Sequence, residues 1–506
     1  MLTEATELSI TSVAVGSVYL TLQNIFSTLI GVLGYAYMAR VITQEEMGVI
    51  AGVTMLCSLI QTGVDLGISS SMAKFISEDI GRGLDYSKHI ISALILRLAL
   101  VLTTTLPVAV SSTQVSEALF KTPVYSKILT LATVNVVFLS ISSLLNSILW
   151  GSGRLKKMAI YGISSTSVRW VSTTLFLFNG YGLIGVIYGW IVGDLTFFTI
   201  LAISTLKHVN FSRNVLSESI ELLPSMLKFS TPIYLGSIVS LLYTWYDKAL
   251  ILMFLPIQQL GMYNVAYKAF SVLITIASSL GSSLLPYYGV MYGKNDYKAI
   301  SEGVKHASKY TMLIMFPLAS GLAVVAKPVI TLFAGLQYSE AWIVLAVLSI
   351  FGLVYGILPS FSSLLLVYGK TKTILFLDVV SVIVSLAFFP LLWRLKLIGL
   401  TIVRGLSLIA SFTLSFYYTS KIVKIEVDRR MALKTLISSS IMAVAVLVLQ
   451  QTLQNNLMFP LYVIIGAIIY IALIRMLNCI GKEDVQLIRA IVGERFAKII
   501  MKILNI

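Results

Sequence analysis

Charge is what this chain has least of. Of its 506 residues only 12% are Asp, Glu, Lys or Arg, while 57% are hydrophobic and the mean hydropathy is +0.91. A soluble domain carries roughly 25% charged residues, so the deficit excludes a soluble protein of this length. Cysteine is nearly missing. Cys57 lies in an apolar run and Cys479 at the end of the last one, which gives no basis for a disulfide framework. Histidine is scarce too: His89, His208 and His306 fall at helix ends or in a loop, so neither a buried triad nor a histidine metal site is expected. No phosphate-cradling glycine loop with its lysine and no HExxH pair is present. The longest loops, near 207–228 and 290–306, are roughly 20 residues, below the size of a folded domain. No catalytic residue, no cofactor and no metal is therefore expected. A membrane-embedded glycosyl- or phosphotransferase would need catalytic carboxylates or a loop domain that this chain does not offer. The opening "MLTEATELSI" has two glutamates and no base, unlike a secretory signal, so the first apolar run is expected to remain a span.

What is there is a series of apolar runs of the length that crosses a bilayer. Fourteen are read, near 14–40, 47–72, 89–112, 125–150, 157–179, 182–206, 229–255, 259–289, 307–334, 340–368, 373–393, 397–420, 432–452 and 457–477. The expected fold class is an all-α polytopic membrane protein. A final segment, 481–506, has Val485, Leu487, Ile488, Ile491, Phe496, Ile499 and Ile500 on one broad face with charges opposite, and reads as an amphipathic helix at the membrane surface. The net charge of +15 does not point to nucleic acid, because the bases lie in short loops where they set topology. Lys74, Arg82, Lys156, Lys298, Arg429 and many others crowd the even-to-odd loops and the tail. The opposite loops hold Arg40, Lys121, Lys327, Arg394 and Lys396. Both termini are therefore expected in the cytoplasm.

The chain also repeats itself. "TQEEMGVIAG" (43–52) aligns with "PIQQLGMYNV" (256–265), and "SILWGSGRLKK" (147–157) with "SLLLVYGKTK" (363–372). This divides the chain into a six-span bundle (1–206), a cytoplasmic linker (207–228), a second six-span bundle (229–424), two added spans (425–480) and the amphipathic tail (481–506). Six is even, so the copies share one orientation and are expected to be related by an axis along the membrane normal, with a substrate path between them.

Charges inside the spans are the informative residues. The bases are Arg97, Arg169, Lys248, Lys268 and Arg404, and the acids are Asp65, Asp194, Asp247 and Asp378. Each costs roughly 2.5–3.5 kcal/mol on an insertion scale if it meets lipid at mid-depth. Most must face protein or a wet cavity. One reading makes them interhelical ties, with Asp247 and Lys268 as a pair. The other makes the five bases a cationic cavity that attracts an anion, with Asp65, Asp194 and Asp247 as charge-pair or coupling candidates. Asp378 lies near the cytoplasmic end of its span, where water can reach it. Asp247 and Lys248 are adjacent, about 100° apart on a helix, and so are not expected to pair with each other. Gly185, Gly189 and Gly193 form a small-residue stripe suited to close helix packing.

Three stretches carry a family resemblance: "YMARVITQEEMGVIAG" (37–52) with "QTGVDLGISSSMAKFISE" (61–78), "YDKALILMFLPIQQLGMYNVAYK" (246–268), and "LLPYYGVMYGKND" (284–296) continuing to "FPLASGLAVVAKPVITLFAGLQYSEAW" (316–342). They resemble the polysaccharide flippases of the multidrug/oligosaccharidyl-lipid/polysaccharide exporter superfamily. The resemblance implies two six-helix bundles around a cavity that opens alternately to each side. It also implies a glycan substrate linked to a polyprenyl phosphate or diphosphate, in the plasma membrane. Asp65 and Asp247 match positions where that family often has an acid. The partners implied are the lipid-linked glycan, the bilayer and a coupling cation, H+ or Na+. A cation-coupled multidrug exporter of the same superfamily is the alternative, disfavoured by the surplus of bases over acids.

Overall fold

In the computed structural model, residues 10–209, 213–425 and 428–479 are described; the amphipathic segment expected at 481–506 lies outside them. Among the described residues every regular element is helical. In chain order the α-helices are α1 (Ile10–Val41), α2 (Gln44–Asp65), α3 (Ile68–Arg82), α4 (Ser87–Val110), α5 (Ser112–Phe120), α6 (Ser126–Gly151), α7 (Leu155–Phe178), α8 (Gly182–Thr205), α9 (Arg213–Phe254) and α10 (Ile257–Ser283). They continue as α11 (Leu285–Gly293), α12 (Tyr297–Val324), α13 (Ala326–Ala334), α14 (Trp342–Tyr355), α15 (Leu358–Val367), α16 (Thr371–Ala387), α17 (Leu391–Ser420), α18 (Arg429–Leu453) and α19 (Phe459–Met476).

Eleven spans among the described residues are long and apolar enough to cross a membrane. The runs read at 14–40, 157–179 and 373–393 form α1, α7 and α16, which are not among the eleven. Several runs read as one span are broken. The run 47–72 parts into α2 and α3 at Leu66 and Gly67, whose φ values are 45° and 74°. The run 340–368 parts into α14 and α15, with Pro359 in the first turn of the new helix, where its missing N–H is no loss. Inside α17, Lys396 departs from helical geometry (φ 49°, ψ −127°).

The chain divides into two compact units, Met1–Asn264 and Val265–Ile506. The boundary falls within α10, so α9 belongs to the N-terminal unit, where it packs on α2, α3 and α4. Each unit has a helix that packs on two others. In the N-terminal unit α8 packs on both α6 and α7; in the C-terminal unit α17 packs on both α14 and α16. The α7–α8 contact is close because of the glycine stripe. A Cβ on Gly185 would meet Phe176, one on Gly189 would meet Thr173, and one on Gly193 would meet Arg169. Both cysteines are buried and free.

Candidate functional site

The break between α2 and α3 organises the polar centre of the N-terminal unit. A helix that stops inside a membrane leaves carbonyls at one end and amides at the other without intrahelical partners. Asp65, the last residue of α2, serves the amide end. Its carboxylate accepts the Gly67 amide at 3.1 Å and the Ser69 hydroxyl at 2.5 Å. Gly67 is required there. Its φ is positive, and a Cβ would lie 2.7 Å from the Ser230 carbonyl oxygen of α9.

Arg97 of α4 closes the cluster. Its Nη2 donates to Asp65 and, at 2.8 Å, to the Ser69 hydroxyl. The guanidinium is fully buried while the Asp65 side chain keeps 27% of its surface exposed. Among the described residues, Arg97 Nε and Nη1 have no hydrogen-bond partner. The polar seam continues to α6. Gln61 donates to the Ser143 hydroxyl (3.1 Å) and accepts from Ser140 (2.5 Å). Along the same face of α3 runs a groove of 510 Å³ lined by Ser69, Ser70, Lys74, Ser143, Asn146 and Trp150, among others. Lys74 is occupied locally, 3.1 Å from Glu78 and above the rings of Phe75 and Phe229.

The remaining charges are placed as follows. Arg169 (α7) lies 3.9 Å from the Asp194 carboxylate (α8) and 4.7 Å from the Trp190 ring; Asn135 hydrogen-bonds Asp194 from α6. In the C-terminal unit Arg404 (α17) is buried and coupled electrostatically to Asp378 (α16), which is half-buried. Lys268 is partly buried on α10. Asp247 is fully buried and accepts from the Tyr263 hydroxyl at 2.6 Å and the Lys248 amide at 2.8 Å. The Lys248 ammonium does reach its neighbour, at 3.6 Å, and also sits 4.8 Å from the Trp245 ring. The expectation that these two cannot pair is corrected: the long lysine stem folds back along the helix and offsets the divergence of the two Cβ directions.

Sequence reasoning missed Gly67, Ser69, Lys74 and the α6 amides and hydroxyls. The available signal was "DLGISSS", an acid and a glycine followed by three serines inside an apolar run. It also left His89 without a role, whereas the ring is hydrogen-bonded to Asp79 at 2.6 Å and stacked on Phe75.

A broken helix with a charged residue at the break, buried among apolar spans, is a design of membrane transport proteins. The fold agrees. The chain superimposes on the lipid II flippase MurJ in an inward closed conformation with a TM-score of 0.75 and 16% identity, covering 90% of this chain and 97% of that one. An inward-facing multidrug resistance transporter of the MATE family gives 0.57 and 16%, covering 78% and 95%. At these identities the likeness is one of fold. In sequence, the probable low-salt glycan biosynthesis flippase Agl15 of Haloferax volcanii is 23% identical over 429 residues, 84% of this chain and 88% of its own. The teichuronic acid biosynthesis protein TuaB of Bacillus subtilis is 25% identical over 186 residues, 36% of this chain and 38% of its own. The polysaccharide biosynthesis protein family matches residues 37–343, and the chain belongs to that family.

Proposed function

We propose that this protein is a flippase that carries a polyprenyl-phosphate- or diphosphate-linked oligosaccharide from the cytoplasmic to the outer leaflet of the plasma membrane by alternating access. The observation that carries the reading is membership of a polysaccharide biosynthesis family by a chain that keeps arginines inside its membrane spans. Phosphate is the charged part of such a substrate, and a guanidinium in a low-dielectric setting attracts it far more strongly than in water. Arg97, Arg169, Lys248, Lys268 and Arg404 are the candidate cations. Asp65, Asp194 and Asp247 are candidates for charge pairing or for binding a coupling cation, H+ or Na+. Both termini lie in the cytoplasm.

The test is reconstitution. Proteoliposomes carrying a fluorescent short-chain lipid-linked oligosaccharide should expose it to an impermeant quencher on the opposite leaflet at a rate that depends on the protein. A rate equal to that of protein-free liposomes removes the reading. Arms with an imposed H+ or Na+ gradient identify the coupling ion. For orientation, an engineered Lys298→Cys should resist an impermeant thiol reagent applied to intact cells; its labelling would reverse the topology.

A further inference from the structure

We infer that the first turn of α3, with Arg97 behind it, is the anion subsite for the substrate's phosphate, and that Asp65 holds that subsite until phosphate replaces it. The inference rests on the flippase reading and adds to it a place and an order of events.

Three observations meet at one point. The N-terminus of α3 lies inside the N-terminal unit, and its N-cap, Gly67, has no side chain with which to cap it. The first-turn amides and the aligned peptide dipoles make such an end attractive to an anion. Arg97 is wholly buried, yet two of its three guanidinium nitrogens have no hydrogen-bond partner among the described residues. A buried donor left unmade is costly, and more so when it is charged. Finally, Asp65 engages Arg97 through Nη2 alone and is the more accessible partner, with 27% of its side chain exposed against none for Arg97. An anion arriving from the open side therefore meets the carboxylate first.

The exchange is chemically even. Asp65 now accepts from Arg97, Ser69 and the Gly67 amide. A phosphate accepts from the same three donors and has oxygens to spare for the guanidinium nitrogens that Asp65 leaves unused. The carboxylate then turns outward, where it is already partly solvated. Ser69 also lines the groove along α3, whose wall continues with Ser70, Ser143, Asn146 and Trp150. Its one lysine is tied to Glu78, so the groove presents hydroxyls, an amide and an indole rather than free charge. That lining suits the sugar joined to the phosphate.

The experiment measures binding calorimetrically to the full-length protein in detergent, with a short isoprenyl diphosphate, inorganic diphosphate and the matching isoprenyl alcohol as probes. Asp65→Asn removes the competing charge and keeps the shape, and should tighten isoprenyl diphosphate binding by about tenfold or more. Asp65→Asn with Arg97→Gln leaves no unpaired charge, which protects folding, and should abolish that binding. The alcohol should not bind. Unchanged or weaker binding by folded, monodisperse Asp65→Asn overturns the subsite. So does retained binding by the double variant. Inorganic diphosphate binding as tightly as the isoprenyl form overturns the lipid-linked source in favour of a free phosphate. Failure of the wild type to flip lipid-linked oligosaccharide, with the Asp65→Asn effect intact, removes the flippase reading and leaves the anion site. Flipping without that effect does the reverse.

Discussion

The two ends of α2 are held by opposite means. At the start of the helix, contact is made by shape. A Cβ on Gly48 would strike the Ile257 carbonyl oxygen, and a Cβ on Gly261 would strike that of Gln44, so α2 and α10 touch backbone to backbone. Thr43 and Glu46 close a capping box there. Glu45 accepts from Tyr125 (2.7 Å) and Gln258 (3.2 Å). At its other end the helix stops at Asp65 and is held by charge, with Gly67 just beyond it packed on the Ser230 carbonyl oxygen. The lesson is that packing against a main-chain oxygen tolerates nothing larger than hydrogen, whereas a charge-held end exchanges one anion for another without rebuilding the fold.

The contrast can be broken at either end. The largest effect is expected from Gly48→Leu. The atom it strikes is main chain and no flexible side chain can yield, so the cost should reach the upper part of the roughly 1–3 kcal/mol range for overpacking or exceed it. The yield of monodisperse protein should collapse, and Gly48→Ala should fall between. A wild-type yield and thermal midpoint for Gly48→Leu would mean that the start of α2 is loosely packed. Next comes Arg97→Gln, which leaves Asp65 partly buried with no guanidinium. Because Asp65 is about a quarter exposed, the loss should be about 2 kcal/mol, below the 3–5 of a fully buried pair. Adding Asp65→Asn should recover part of it in a double-mutant cycle; simple additivity of the thermal shifts would show that the two residues do not interact.

Gly67→Ala sharpens the comparison, since it crowds the Asp65 end by shape and leaves its charges in place. The positive φ and the nearby Ser230 carbonyl should give a loss of about 1–2 kcal/mol, read as a lower thermal midpoint. A neutral result would mean that α9 moves aside freely. Smallest should be Glu45→Gln, which keeps an acceptor for Tyr125 at a partly exposed site. A shift of about 0.5 kcal/mol is expected, and its midpoint should be insensitive to added salt. A larger loss than that of Arg97→Gln would invert the contrast between the two ends.

Much of the architecture could be read in the sequence because each span must satisfy its own backbone and show apolar residues to lipid, which writes helices as long apolar runs. The breaks were harder. Hydropathy is blind to a reversed φ at Leu66 and Gly67, and the apolar run continues through them. The pairing of charges was harder still. Asp65 and Arg97 are 32 positions apart, and Arg169 and Asp194 lie on different spans. Whether such residues meet depends on the rotation of each helix about its axis, which spacing does not specify. Asp378 and Arg404 repeat the lesson with the signs exchanged. In the N-terminal unit the base is on the earlier helix of the pair and the acid on the later one; in the C-terminal unit the acid comes first. The glycine stripe of α8 was legible because small residues four apart have one common use.

The meeting of Gly48 with Ile257 and of Gly261 with Gln44 has a consequence for symmetry. Gly48 and Gly261 are equivalent under the 213-residue offset between the two copies, and so are Gln44 and Ile257. Glu45 and Gln258, which hydrogen-bond, are a third equivalent pair. Residue i of one copy thus touches residue j of the other, and j of the first touches i of the second, which is the reciprocity of an isologous dimer interface. A glycine set against a main-chain oxygen is thus used twice, once in each direction, across one contact.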